Sequence, residues 1–179
     1  MYFTLEELTA RGCRSLKQLA PPGPDFKNHL AEFLRQCDQC VFTMGACHVM
    51  AATLWRELQA RRYAADVFRV AKDQDAIATH YVVGRSRGGP FLDVSLRWKS
   101  VAEIGTFFGE SMIITGPVPP NPPVTAYRLA AWATPRGQSR MTPPSHWPFC
   151  ADATFFQEAG AKADAFVAKN SSLLDSLVA

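Results

Sequence analysis

Hydrophobic positions follow one period in the first third of the chain and another in the middle. Thr4-Leu5-Glu6-Glu7 has the form of a capping box, which predicts a short helix from Leu5 to about Gly12. Pro21-Pro22-Gly23-Pro24 is a breaker. Beyond it, Phe26, Leu30, Phe33, Leu34 and Cys37 recur at helical spacing and predict an amphipathic helix over about Asp25–Asp38. A third helix is expected from about Ala46 to Arg62, with Met50, Leu54 and Leu58 on one face. The pattern then becomes that of strands, rich in Val, Ile, Phe and Tyr, over 65–70, 79–84, 91–96 and 112–115. Arg87-Gly88-Gly89-Pro90 marks a hairpin tip, and Ser100-Val101-Ala102-Glu103 a second capping box with a helix to about Phe108. Pro117–Pro123 reads as an extended loop, Val124–Trp132 as a last strand and Asp152–Lys169 as a last helix. Helices first, then a mostly antiparallel sheet with a helical insertion, define an α+β fold in a single domain over 1–179.

Composition narrows the function classes. With 47% hydrophobic and 20% charged residues, the 179-residue chain has the balance of a globular protein. A net charge of +3, with scattered basic residues, argues against a nucleic-acid partner. No apolar run approaches the roughly 20 residues that cross a bilayer, so no membrane span is expected. The first residues carry acid early and lack the basic-then-apolar order of a signal peptide. The expectation is a cytoplasmic protein, or one exported without a cleavable signal peptide. Five cysteines, at 13, 37, 40, 47 and 150, are an odd number without a secretory context, which argues against a disulfide framework and predicts a reducing compartment with at least one free thiol.

Three residues carry candidate chemistry. Cys47 lies at the expected start of the third helix, where Gly45 is expected to let the chain turn sharply into it, in the first turn, where amide N–H groups lack intrahelical acceptors. That position favours thiolate and supplies oxyanion donors. His80 opens one strand and Asp93 lies in the next. If the connecting loop around Arg87-Gly88 has two or four residues, strand alternation puts both side chains on one face as direct or diagonal neighbours; a three-residue loop separates them. Nucleophile, base and orienting carboxylate then form a Cys-His-Asp triad. The simpler alternatives are Cys47 as a small core residue, His80 as an ordinary sheet histidine, and Asp93 capping a turn or pairing with Arg97.

The glycine-led Cys47-His48 at a helix start, the strand, Thr79-His80-Tyr81-Val82-Val83, the glycine turn and Phe91-Leu92-Asp93-Val94 resemble the papain-like fold superfamily. Within it they are similar to the small bacterial and phage cysteine hydrolases of the transglutaminase-like and NlpC-like kind. The resemblance covers residues 45 to about 105. It implies Cys47 as nucleophile, His80 as general base and acid, and Asp93 as the residue that orients His80. It also implies a glutamine before the cysteine as oxyanion donor. Gln39 is the candidate and Gln36 the other glutamine nearby, both farther from the cysteine than in papain. The implied activity is hydrolysis of an amide in a protein or peptide, as a peptidase, amidase or deamidase, without a cofactor; a toxin or effector role fits such small domains.

Several alternatives stand beside this reading. One is acyl transfer of the transglutaminase type on the same triad. Another is a catalytically inert papain-like binding domain. A third is a zinc-stabilised module built on Cys37, Cys40, Cys47 and His48, since Cys37-x2-Cys40 has knuckle spacing. His48 points about 100° away from Cys47 on a helix and is read as structural, with His146, beside Trp147, as a reserve base.

Overall fold

The computed structural model describes residues 3–15, 18, 26–73, 80–109, 111–118 and 153–179. The predicted extended loop over Pro117–Pro123, the strand at Val124–Trp132 and the segment holding His146 and Trp147 fall wholly or largely outside these residues.

Among the described residues the helices are α1 (Leu5–Ala10), α2 (Phe26–Arg35), α3 (Asp38–Met44), α4 (Cys47–Ala60), α5 (Val101–Phe108), α6 (Ala153–Lys169) and α7 (Ser171–Val178). The strands are β1 (Asp66–Ala71), β2 (His80–Gly84), β3 (Phe91–Leu92) and β4 (Ile113–Val118). Both capping boxes form: the Thr4 and Ser100 hydroxyls accept from the amides of Glu7 and Glu103, whose carboxylates accept from the cap amides. Helix α5 stops at Gly109, where φ of 71° suits a residue without a Cβ.

The four strands form one antiparallel sheet in the order β3-β2-β1-β4. It is an α+β arrangement with apolar cover on both faces. Val67, Tyr81, Val83, Leu92 and Val118 join the cluster that contains Met50, Leu54 and Leu58 of α4 and Ala159, Ala163 and Val167 of α6. Phe68, Val70, Val82 and Phe91 meet Ile104 of α5 and Met112. This double cover explains why β2 is buried at every position rather than alternately.

Three expectations about local structure need correction. The helix expected over Asp25–Asp38 breaks at Gln36, whose side chain is drawn off to bond both the amide and the carbonyl of Arg14. Cys37 is extended, and a new helix begins at Asp38. The strand expected to reach Leu96 stops at Leu92, because the Asp93 carboxylate captures the Ser95 amide and bends the chain into a turn. Gly45 has φ of 177°, an extended conformation open to any residue, so the entry to α4 does not depend on its being glycine. The C-terminal helix α7 had no counterpart in the sequence pattern. It is anchored by Arg61, which reaches Asp175 and Ser171, and by Trp98, whose indole N–H donates to the Leu177 carbonyl. No described helix is long and apolar enough to cross a membrane.

Gly84 is the tightest point beside the site-bearing strands, since an added Cβ would lie 2.8 Å from both Phe91 Cδ1 and the Pro90 carbonyl oxygen. Gly84→Ala is expected to destabilise the fold by about 1–3 kcal/mol, as overpacking against backbone does. Urea denaturation of the two proteins measures the difference.

Candidate active site

Cys47 is the first residue of α4 and His80 the first of β2, so the two groups sit at the ends of elements that pack against each other. The pairing Val83↔Leu92 and Gly84↔Phe91 sets the register of β2 and β3. The loop between them runs over residues 85–90, six residues rather than two or four, and the even number keeps the expected parity. Continued past β3, the register makes His80 and Asp93 diagonal neighbours on one face. They meet: His80 Nε2 lies 3.1 Å from Asp93 Oδ2.

Asp93 is 2% exposed, and its two oxygens divide the available donors. Oδ1 accepts from the Ser95 amide at 2.9 Å and the Ser95 hydroxyl at 2.7 Å. Oδ2 accepts from His80 and from the buried Lys99 ammonium. Lys99 was not anticipated. It arrives because the turn after Asp93 brings the chain back beside β3, where Phe91 and Lys99 exchange backbone hydrogen bonds of 2.8 Å. The sequence signal was a lone lysine six residues beyond a buried carboxylate, with nothing local to show that the chain doubles back. Arg97, the partner expected in the simpler reading, pairs instead with Glu103 at 2.8 Å. The other half of that reading holds, because Asp93 does cap a turn while it also holds His80.

These contacts set the ionisation of the group. Burial raises the Asp93 carboxyl, but the His80 hydrogen bond and the Lys99 charge outweigh it and hold the group well below the usual carboxylate range. Burial also lowers His80, but Asp93 and Cys47 together outweigh that and raise it to about 9. Lys99 is pulled down to about 8, with burial ahead of the opposing pull of Asp93. With Nε2 committed to Asp93, the remaining nitrogen Nδ1 is buried and makes no hydrogen bond of normal geometry. The Cys47 thiol nevertheless lies near enough to help raise the imidazole. Cys47 also acts on Tyr81, the next residue of β2; burial first and then Cys47 push that phenol well above its usual value.

The other named residues lie elsewhere. His48 is buried edge-on to Tyr81, with ring centroids 6.2 Å apart, and burial lowers it to about 3, in keeping with a structural role. Gln39 is half-buried in the first turn of α3, its carbonyl accepting the Thr43 hydroxyl, and Gln36 is engaged with Arg14. The set Cys37, Cys40, Cys47 and His48 does not assemble among the described residues. Cys37 and Cys40 instead cluster with Cys13. Cys13 and Cys40 are disulfide-bonded, against the expectation of no disulfide framework, while Cys37 and Cys47 are free, consistent with at least one free thiol.

Compared with family models, curated proteins and solved structures, the chain matches none.

The two buried histidines shift in opposite directions, and the signs fix a stability profile. Folded His48 stays neutral down to about pH 3 while the unfolded residue protonates near 6.5, so stability rises with pH between those values. Folded His80 keeps its proton up to about 9, so its contribution is complete below 6.5 and declines above it. Lys99, lowered to about 8, acts in the opposite sense only above that pH. Stability is expected to peak near pH 6.5, each limb approaching about 1.4 kcal/mol per pH unit. Chemical denaturation from pH 4.5 to 8 checks this, and His80→Asn should flatten the alkaline limb alone.

Proposed function

We propose that the protein is a cysteine-dependent amide hydrolase of papain-like type, with Cys47 as nucleophile, His80 as acid and base, and Asp93 as the residue that orients His80. The observation that carries the reading is the division of the His80 ring: Nε2 on Asp93, and the unpartnered Nδ1 left for the neighbouring thiol at the start of α4.

The cycle follows from those positions. A His80 raised to about 9 carries its proton at neutral pH, beside a sulfur that can give one up. The thiolate attacks the amide carbonyl, and the first amides of α4 face the developing oxyanion. Gln39 remains the side-chain candidate for that donor. The imidazolium passes its proton from Nδ1 to the leaving amine, giving a thioester and a neutral imidazole. That imidazole takes a proton from water as hydroxide adds to the thioester, and the acid departs with the thiolate restored. Asp93 keeps Nε2–H engaged throughout, so Nδ1 is the nitrogen that gains and loses the proton. Lys99 holds Asp93 ionised. The rise in His80 comes first from the hydrogen bond with Asp93 and then from Cys47.

The rate of iodoacetamide labelling at Cys47, located by mass spectrometry, tests the pair directly. His80→Ala is expected to slow labelling at pH 7 by about tenfold or more, since the thiolate loses its charge partner. Asp93→Asn should have a smaller effect of the same sign. Equal rates in the native and His80→Ala proteins would remove the basis for the triad. A panel of peptide and glutamine amides, with Cys47→Ser as the blank, then assigns hydrolysis or acyl transfer.

A further inference from the structure

Away from Cys47, three sulfurs come together where α1, the break after α2 and the first turn of α3 meet. We propose that Cys13, Cys37 and Cys40 form a thiol–disulfide exchange site, in which Cys37 takes over the Cys13–Cys40 bond. Cys37 Sγ lies 2.8 Å from Cys40 Sγ and 3.9 Å from Cys13 Sγ, so a free thiol abuts a formed disulfide. Cys40 is wholly buried and Cys13 nearly so, whereas Cys37 is exposed and is the member that solvent reaches. Cys37 and Cys13 both line an open cleft of about 510 Å³, with Arg11, Glu32 and Arg35 at its walls. This site is independent of the proposed hydrolase chemistry.

The step balances without an outside oxidant. Cys37 loses its proton to solvent, and its thiolate attacks Cys40 Sγ. The Cys37–Cys40 bond forms, the Cys13–Cys40 bond breaks, and Cys13 leaves as a thiolate that takes up a proton. One disulfide and one thiol remain, in a different arrangement. The structural consequence is specific. A crosslink spanning 27 residues is replaced by a ring within a Cys-x2-Cys segment. The end of the α1 segment is then held to the start of α3 without a crosslink, by the Gln36 hydrogen bonds to Arg14 and by packing of Leu8 and Cys13 against Cys40 and Phe107.

Trapping the thiols resolves the two arrangements. The oxidised protein is equilibrated at pH 6 and at pH 8, quenched briefly with N-ethylmaleimide, digested without reduction and mapped by mass spectrometry. The expected result is two populations, one alkylated at Cys37 with a Cys13–Cys40 crosslink and one alkylated at Cys13 with a Cys37–Cys40 crosslink. They should interconvert faster at pH 8, as the thiolate fraction rises. Cys37→Ser should retain the Cys13–Cys40 crosslink alone. Alkylation at Cys37 only, at every time and pH, would overturn the proposal. So would protein isolated with all three thiols reduced and one zinc ion bound per chain, which would make the cluster a metal site.

Discussion

The buried carboxylate of Asp93 is the constraint on which this corner of the molecule depends. A charge removed from water is costly unless it is paired and its lone pairs are filled, and Asp93 meets both demands. Ser95 fills one oxygen, while His80 and Lys99 fill the other. Each partner comes from a different stretch of backbone, so the carboxylate ties together the start of β2, the end of β3 and the returning segment at Lys99. The same contacts engage one buried ring nitrogen of His80 and leave the other, equally buried, without a hydrogen-bond partner. Structural satisfaction and candidate chemistry are here one set of hydrogen bonds.

A sheet covered on both faces makes such a site possible. Apolar residues occupy both sides of β1 and β2, and the candidate site lies at the strand and helix ends beside them. Cys47 and His80 are each the first residue of their element. At that junction the helix contributes amides without intrahelical acceptors, and the sheet contributes a side chain whose rotation is restrained by its neighbours. Phe108 of α5 packs against the His80 ring, with ring centroids 5.5 Å apart.

The cysteines divide by environment. Cys47 belongs to the main core and to the histidine, while Cys13, Cys37 and Cys40 occupy a separate region ordered by the bond between Gln36 and Arg14. That bond stops α2 and turns Cys37 outward, and it brings the Cys-x2-Cys segment back to the end of α1. Spacing alone suggested zinc ligands at Cys37 and Cys40, with Cys47 and His48 to complete the set. The direction of α3 decided otherwise, because it carries Cys40 toward Cys13 and leaves His48 buried against Tyr81.

By itself the sequence determined what depends on neighbours along the chain. Capping boxes at Thr4 and Ser100, the helical period over Met50, Leu54 and Leu58, and the β-branched runs of β1 and β2 are local, and each formed where its pattern placed it. The pairing of His80 with Asp93 was legible too, because it needed only strand parity and an even loop, and the six residues between β2 and β3 satisfied it. Tertiary structure decided the rest. Lys99 reaches Asp93 only because the turn at Ser95 folds the chain back, and Cys13 reaches Cys40 only because α2 breaks at Gln36. No period encodes either contact, since each rests on an irregular turn whose direction is set by side chain–backbone hydrogen bonds.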